Sequence, residues 1–376
     1  MSDYAKGLEG VIANESALSN VEGLEGRLSY LGYSIDELVE NCSFEEVTHL
    51  LHRGKLPTAT ELADFEKSLR SNRAIPQGVI DYLKSAPKDA NPMDILRTGV
   101  SMLGLYDKRA KIGRPDQEAN REVALALCAQ APVIVAYYHR ARQGLELLPV
   151  RDDLSESAHF LYLMTGEEPS PAAAKTLDVA YTIHADHGMN ASTFSARVTV
   201  ATLSDFYSAI TSAVGTLKGP LHGGANEGVI KMLHEIGSLD QVEAFVDERL
   251  ASKRKIMGIG HRVYKVLDPR APHLQKMAIK LTEELGETKW IDMSERIATI
   301  MRERKGLNAN VDFYSATVYY SLGIPTDLFT PIFAIARMAG WTAQVLEQLE
   351  DNRLYRPLTK YVGPSELSKV APISER

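Results

Sequence analysis

With 376 residues, 44% of them hydrophobic and 24% charged, the chain can bury a large core or two separate ones, which excludes a disordered polymer. A formal net charge of −7 provides no basic field for nucleic acid or an anionic membrane, so any anionic ligand has to be held by a local cluster of cations. The two cysteines, Cys42 and Cys128, sit in apolar stretches and read as reduced core thiols of a cytoplasmic protein. The opening MSDYAKGLEG carries neither an apolar nor an Arg-rich targeting pattern.

In chain order, residues 8–33 hold the one clear β candidate, a small hairpin of Ala17–Val21 and Arg27–Tyr30 around the turn-rich EGLEG. From Ile35 onward the apolar spacing is helical. Leu38, Phe44, Val47, Leu50 and Leu51 point inward, and Gly54 and Pro57 close that run. Further helices are predicted at 59–70, 75–85, 92–104, 119–142, 154–165, 171–187 and 191–215. Others follow at 225–236, 240–252, 271–285, 288–304, 312–322 and 327–349. Val123–Tyr138 is the most hydrophobic segment. It is too short to span a bilayer, and Gln130 and Pro132 make it a buried, kinked helix. No βαβ alternation appears, so the expected class is all-α with a small N-terminal hairpin. Breaks at Gly219-Pro220 and Gly323-Ile324-Pro325 bracket a more charged segment. It reads as a smaller inserted domain, 221–324, with 1–220 plus 325–376 forming the larger one.

Four loops carry chemistry. In HADHGMNAS, His184 and His187 lie one helical turn apart. That spacing is open to a metal site, or to one packing and one capping histidine; no HExxH or CxxC accompanies it. In GPLHGGANE, His222 lies just before a helix, on a glycine loop whose backbone N–H groups a ligand can approach. Here the imidazolium is disfavoured, although a histidine that merely closes the turn fits as well. In GIGHRVYKVLDPR, Gly258 and Gly260 flank an exposed turn, with His261 beside Arg262, Lys265 and Arg270. This is either a cradle for phosphates and carboxylates or a solvated basic face. In NVDFYS, Asp312 starts a helix, either as a cap or as a general base kept ionised by the helix N-terminus. Together the loops supply what carbon-acid chemistry needs: a carboxylate base, a neutral histidine for an enol oxygen, and a second histidine to polarise a carbonyl.

From end to end the chain resembles the citrate synthase family, most clearly in GLEGVIANES, NPMDILRTGVS, HADHGMNAST, GPLHGGANE, GIGHRVYKVLDPR, NVDFYS and RLYRP. The resemblance implies a mostly helical two-domain homodimer with a cleft, taking oxaloacetate and acetyl-CoA and using no prosthetic group or metal. It implies that His222 stabilises the acetyl-CoA enol, Asp312 takes the methyl proton and His261 activates the oxaloacetate carbonyl. His187, Arg270 and Arg337 would bind oxaloacetate, and Arg356 would reach it from the partner subunit. Gly258, Gly260, Arg262, Lys265 and Lys305 would hold coenzyme A. Asn308, Ala309, Ala316, Asn91 and Leu358 depart from the family's usual residues and remove no catalytic group. 2-Methylcitrate synthase, using propionyl-CoA, is the near alternative. The long N-terminal extension of the hexameric relatives is not seen, which favours a simple dimer.

Overall fold

Polar side chains that satisfy free backbone N–H groups decide where the helices begin. Ser34 accepts from Glu37 N–H to start α1 (Ile35–Asn41). Reciprocal Ser43–Glu46 and Thr58–Glu61 boxes start α2 (Phe44–Arg53) and α3 (Ala59–Ser71). α2 ends on Gly54 in the left-handed region, as the glycine stop predicts. The chain continues through α4 (Gln77–Ser85), α5 (Pro92–Tyr106), α6 (Gln117–Arg142), α7 (Glu156–Thr165) and α8 (Pro171–His184). Next come α9 (Ala191–Val200), α10 (Phe206–Leu217), α11 (Ala225–Ile236) and α12 (Val242–Ala251). Last are α13 (Ala271–Leu285), α14 (Lys289–Lys305), α15 (Val311–Ser321) and α16 (Phe329–Glu350). This computed structural model describes residues 4–111, 116–366 and 369–376.

The predicted hairpin forms as β1 (Ser19–Glu22) and β2 (Arg27–Tyr30), antiparallel, with Ser19 opposite Tyr30 and Glu22 opposite Arg27. A short third strand, β3 (Tyr33–Ser34), adds to β2 and leads straight into α1.

α16 is the axis of the larger packing centre. It lies against α2, α5, α6, α8, α9, α10 and α11, and nearly every side chain from Phe329 to Leu346 is buried. Among the described helices α6 is the one long and apolar enough to cross a membrane. Its apolar window is mostly buried inside the protein, and it runs unbroken through Pro132. Cys42 and Cys128 are buried and free. α11 to α15 pack on one another in a second centre, which meets the first through α13 on α8 and α11 on α16.

Two expectations need correction. The single helix predicted over 191–215 is two helices, because Leu203 turns left-handed (φ 65°) and the Asp205 side chain accepts from Ser208 N–H to start α10 afresh. The helix predicted over 171–187 stops at His184. Asp186 N–H points to Tyr30 Oη, and its carboxylate takes hydrogen bonds from Ser19 (2.6 Å) and Gln344 (3.0 Å). These tertiary bonds outcompete another helical turn, so His187 leaves the helix.

Candidate active site

A cavity of about 1210 Å³ lies where the α8–α9, α10–α11 and α12–α13 loops meet the start of α15 and the middle of α16. It brings together His187, His222, His261, Arg270, Asp312 and Arg337, and Arg262 reaches its wall. The N-terminal stretch lines it too, through Leu8, Val11, Ile12, Asn20 and Val21. That contribution was missed from sequence, although the GLEGVIANES motif was its signal.

His222 sits on the loop between α10 and α11. Gly223 must be glycine, since a Cβ there would lie 2.3 Å from Leu217 O. The Nε2 of His222 accepts the Ser192 backbone N–H at 3.2 Å and lies 2.8 Å from Ser192 Oγ. A backbone amide can only donate, so Nε2 is unprotonated and the ring proton is on Nδ1. Ser192 is held in turn by Trp341 Nε1–H (3.1 Å) and by Asn190 Oδ1 (2.7 Å), which also caps α9. Burial, reinforced by the Arg337 charge, lowers the His222 pKa to about 4, so the ring is neutral.

His261 has the opposite tautomer. Its Nδ1 accepts from the backbone N–H groups of Val263 (3.0 Å) and Tyr264 (3.1 Å), so the proton is on Nε2. Nε2 faces Arg270 Nη2 at 3.5 Å, two donors with no acceptor between them. An oxygen of a ligand would satisfy both. Burial, then the charge of Arg270, holds the ring below the ordinary histidine value, although Asp268 opposes them. His187 lies 5.8 Å from it, ring to ring, with Nε2 3.0 Å from Tyr264 Oη, and burial keeps it far below the usual value.

Asp268 accepts from Arg270 Nε and Nη2 (2.9 Å each) and from the amides of Arg270 (3.1 Å) and Val311 (3.2 Å). One buried carboxylate therefore ties a cleft guanidinium to the first turn of α15. Arg337 donates through Nε to His184 O at 2.6 Å and stacks over Phe333; burial lowers its pKa to about 10. Asp312 follows Asn310, whose side chain caps α15, and its own carboxylate accepts no hydrogen bond among the described residues. Burial pushes it up to about 6, partly offset by Arg270 and Arg337 and reinforced by Asp268. Burial therefore raises this acid despite its place at a helix N-terminus, without making it neutral at pH 7. A carboxylate near 6 is mostly ionised at neutral pH and still basic enough to take a proton from carbon.

The other named residues are less convergent. Gly258 (φ 73°) and Gly260 (φ 79°) belong to a turn bridged to the chain before α15: Gly260 N–H donates to Asn308 O (2.8 Å) and Asn310 N–H to Gly258 O (2.9 Å). Asn308 and Ala309, which depart from the family's usual residues, are part of this bridge. Gly258 also meets a packing demand, as a Cβ there would lie 2.8 Å from the Phe313 ring. Lys265 lines an adjoining cavity of about 230 Å³ with Gly260 and Asn308, whereas Lys305, exposed at the end of α14, lines neither. Arg356 is exposed in the tail and does not reach this cleft within one chain. His184 turns Nδ1 onto Ala180 O (2.7 Å) inside its own helix. Among the described residues, no group of three or more His, Cys, Asp or Glu is arranged to hold a metal.

A helical cleft with one unpaired carboxylate, two neutral histidines of opposite tautomer and two buried arginines is equipped for carbon-acid chemistry, and comparison with known proteins places the chain among condensing enzymes of the acyltransferase type. The family profile "Citrate synthase, C-terminal domain" matches residues 7–358. "Citrate synthase 2" of Bacillus subtilis is 51% identical over 372 residues, 99% of each chain. "2-Methylcitrate synthase 2" of Corynebacterium glutamicum is 43% identical, covering 100% of this chain and 98% of its own. Among solved structures, citrate synthase from Pyrobaculum aerophilum superimposes with a TM-score of 0.93 at 37% identity, over 99% of this chain and 95% of that one. A citrate synthase of Thermoplasma acidophilum, in ternary complex with carboxymethyl coenzyme A and oxaloacetate, gives 0.92 at 32%, over 100% of both. The chain belongs to the citrate synthase family.

Proposed function

We propose that this enzyme condenses acetyl-CoA with oxaloacetate and water to give citrate and coenzyme A, the entry reaction of the tricarboxylic acid cycle, in the cytoplasm and with no metal or prosthetic group. The observation that carries this reading is that the Asp312 carboxylate shares one cavity with a histidine protonated on Nδ1 (His222) and one protonated on Nε2 beside Arg270 (His261).

Asp312 takes a proton from the acetyl methyl while His222 Nδ1–H stabilises charge on the thioester oxygen. The enol carbon bonds to the oxaloacetate carbonyl carbon, whose oxygen is polarised by the His261 Nε2–H and takes up a proton to become the hydroxyl of the product, while Asp312 returns the methyl proton to solvent. Water then cleaves the resulting thioester, releasing the thiol. Arg270 and Arg337 pair with the dicarboxylate, and His187 adds a hydrogen bond. Gly260, Arg262 and Lys265, with Lys305 further out, hold the coenzyme's phosphates; Gly258 shapes the same turn. The mutual packing of α11 to α15 supports a smaller domain at 221–324 that closes on 1–220 plus 325–376.

Arg356, exposed and remote from its own cleft, serves the partner subunit's oxaloacetate in a homodimer. Mixed dimers of Arg356→Ala and Asp312→Asn chains, each nearly inactive alone, recover activity if this is right, because one site of the mixed dimer carries neither defect. Dead heterodimers refute the shared site.

The higher identity to a protein named citrate synthase than to one named 2-methylcitrate synthase supports acetyl over propionyl transfer. Discriminating one methylene is worth about 1–3 kcal/mol. Thiol release with each acyl-CoA and oxaloacetate tests it. The acetyl substrate is expected to have the higher kcat/KM, by about 10- to 200-fold. A propionyl preference reassigns the substrate, and no release with either overturns the reaction.

A further inference from the structure

The N-terminal sheet touches two of the three histidine loops of the cleft, those of His187 and His261. At one end, Ser19 donates to Asp186 Oδ2 (2.6 Å) and accepts from Gly188 N–H (2.9 Å), while Tyr30 Oη donates to Asp186 O (3.0 Å). These bonds grip the loop that carries His187. At the other end, the β1–β2 turn grips the loop that carries His261: Gly23 O accepts Lys265 N–H at 2.9 Å. Gly23 also lies against the Val263 peptide so closely that a Cβ on it would sit 2.5 Å from Val263 O. The N–H of that same Val263 is one of the two that His261 Nδ1 accepts.

Gly23 is not among the residues with positive φ, so the turn itself tolerates a side chain there. Gly26, at φ 67°, is the residue the turn geometry requires. The glycine at 23 answers to its neighbour.

We infer that the β1–β2 turn is a positioning element for the condensation step: Gly23 seats the peptide that fixes the tautomer and aim of His261, and only a residue without a side chain fits. This rests on the role of His261 proposed above. A Cβ at 23 forces the loop away by several tenths of an ångström, and misplacement by 1 Å can cost on the order of a hundredfold in rate. Arg270, held by Asp268 rather than by the hairpin, stays in place.

The test compares Gly23→Ala with Gly32→Ala in the full chain. Gly32 is in the turn between β2 and β3 at φ 88°, where a Cβ would meet nothing within 4 Å, so its variant strains the same sheet's next turn without touching the His261 loop. Gly23→Ala is expected to lower kcat on the order of ten- to a hundredfold with oxaloacetate KM nearly unchanged. It should also move the His261 ring ¹⁵N signals from a single Nε2–H tautomer toward a mixture. Gly32→Ala should lower Tm and leave kcat and those signals as in the wild type. Wild-type kcat and signals in Gly23→Ala overturn the inference, as does an equal loss of kcat in Gly32→Ala. If the wild type forms no citrate at all, the proposed reaction falls, while the ¹⁵N comparison still decides the brace. Should Gly23→Ala not fold, hydrogen exchange at the wild-type Lys265 amide decides: protection supports the contact, and exchange at an open-chain rate overturns it.

Discussion

His222 and His261 are both neutral and both aimed into one cleft, yet they are held in opposite ways. His261 is fixed by amides two and three residues further along its own loop. His222 is fixed by Ser192, thirty residues away at the start of α9, and through it by Trp341 of α16. The local device leaves the proton on Nε2 and the long-range one leaves it on Nδ1. A tautomer is therefore a property of whichever neighbour can only donate. The same residue type becomes two different reagents according to whether that neighbour comes from the loop or from the fold.

The largest effect expected is from removing the base that both histidines serve. Asp312→Asn should lower kcat by about 10²–10⁴-fold with the fold intact by circular dichroism. Near-normal turnover in a folded variant would show that the two rings surround the wrong carboxylate. Next are the histidines themselves, each expected to cost about 10²–10³-fold as a lost donor. His222→Ala should abolish deuterium exchange at the acetyl methyl. His261→Ala should leave oxaloacetate bound and slow the carbon–carbon step. If both variants fail at the same step, the division of labour is wrong.

The pH profile separates base from histidines. Asp312 works ionised and titrates near about 6, whereas His222 stays neutral above about 4. Activity should therefore fall as pH drops through about 6, about tenfold per unit, and level off above it. That acid limb should persist in His222→Ala and vanish in Asp312→Asn. A limb lost with His222 instead would make the histidine the titrating group. The smallest effect concerns the long-range arrangement alone. Asn190→Ala removes the α9 cap and a partner of Ser192, and should cost about 0.5–2 kcal/mol of stability by thermal unfolding. It should slow enolisation modestly and leave the His261 signals unmoved.

By itself the sequence determined the helical class, the hairpin, and the limits of elements whose signals are local. α11 and α13 begin and end where glycine stops and apolar spacing place them, because a helix end needs only caps within a turn of itself. It also marked the cleft's His222, His261, Arg270 and Asp312, since glycine loops and charged turns are visible without a fold. Tertiary structure alone decided what depends on distant partners. The break between α9 and α10 was legible only in part, from Asp205. The early end of α8 rests on Ser19, Tyr30 and Gln344, and the entry of residues 8–12 into the cleft wall was marked only by the GLEGVIANES motif, not by any helical or strand periodicity. Nor does the sequence say which nitrogen carries each proton, or that Asp312 titrates near about 6. Those follow from desolvation and from donors aimed at each ring, local for His261 and from another helix for His222, and both exist only once the chain has folded.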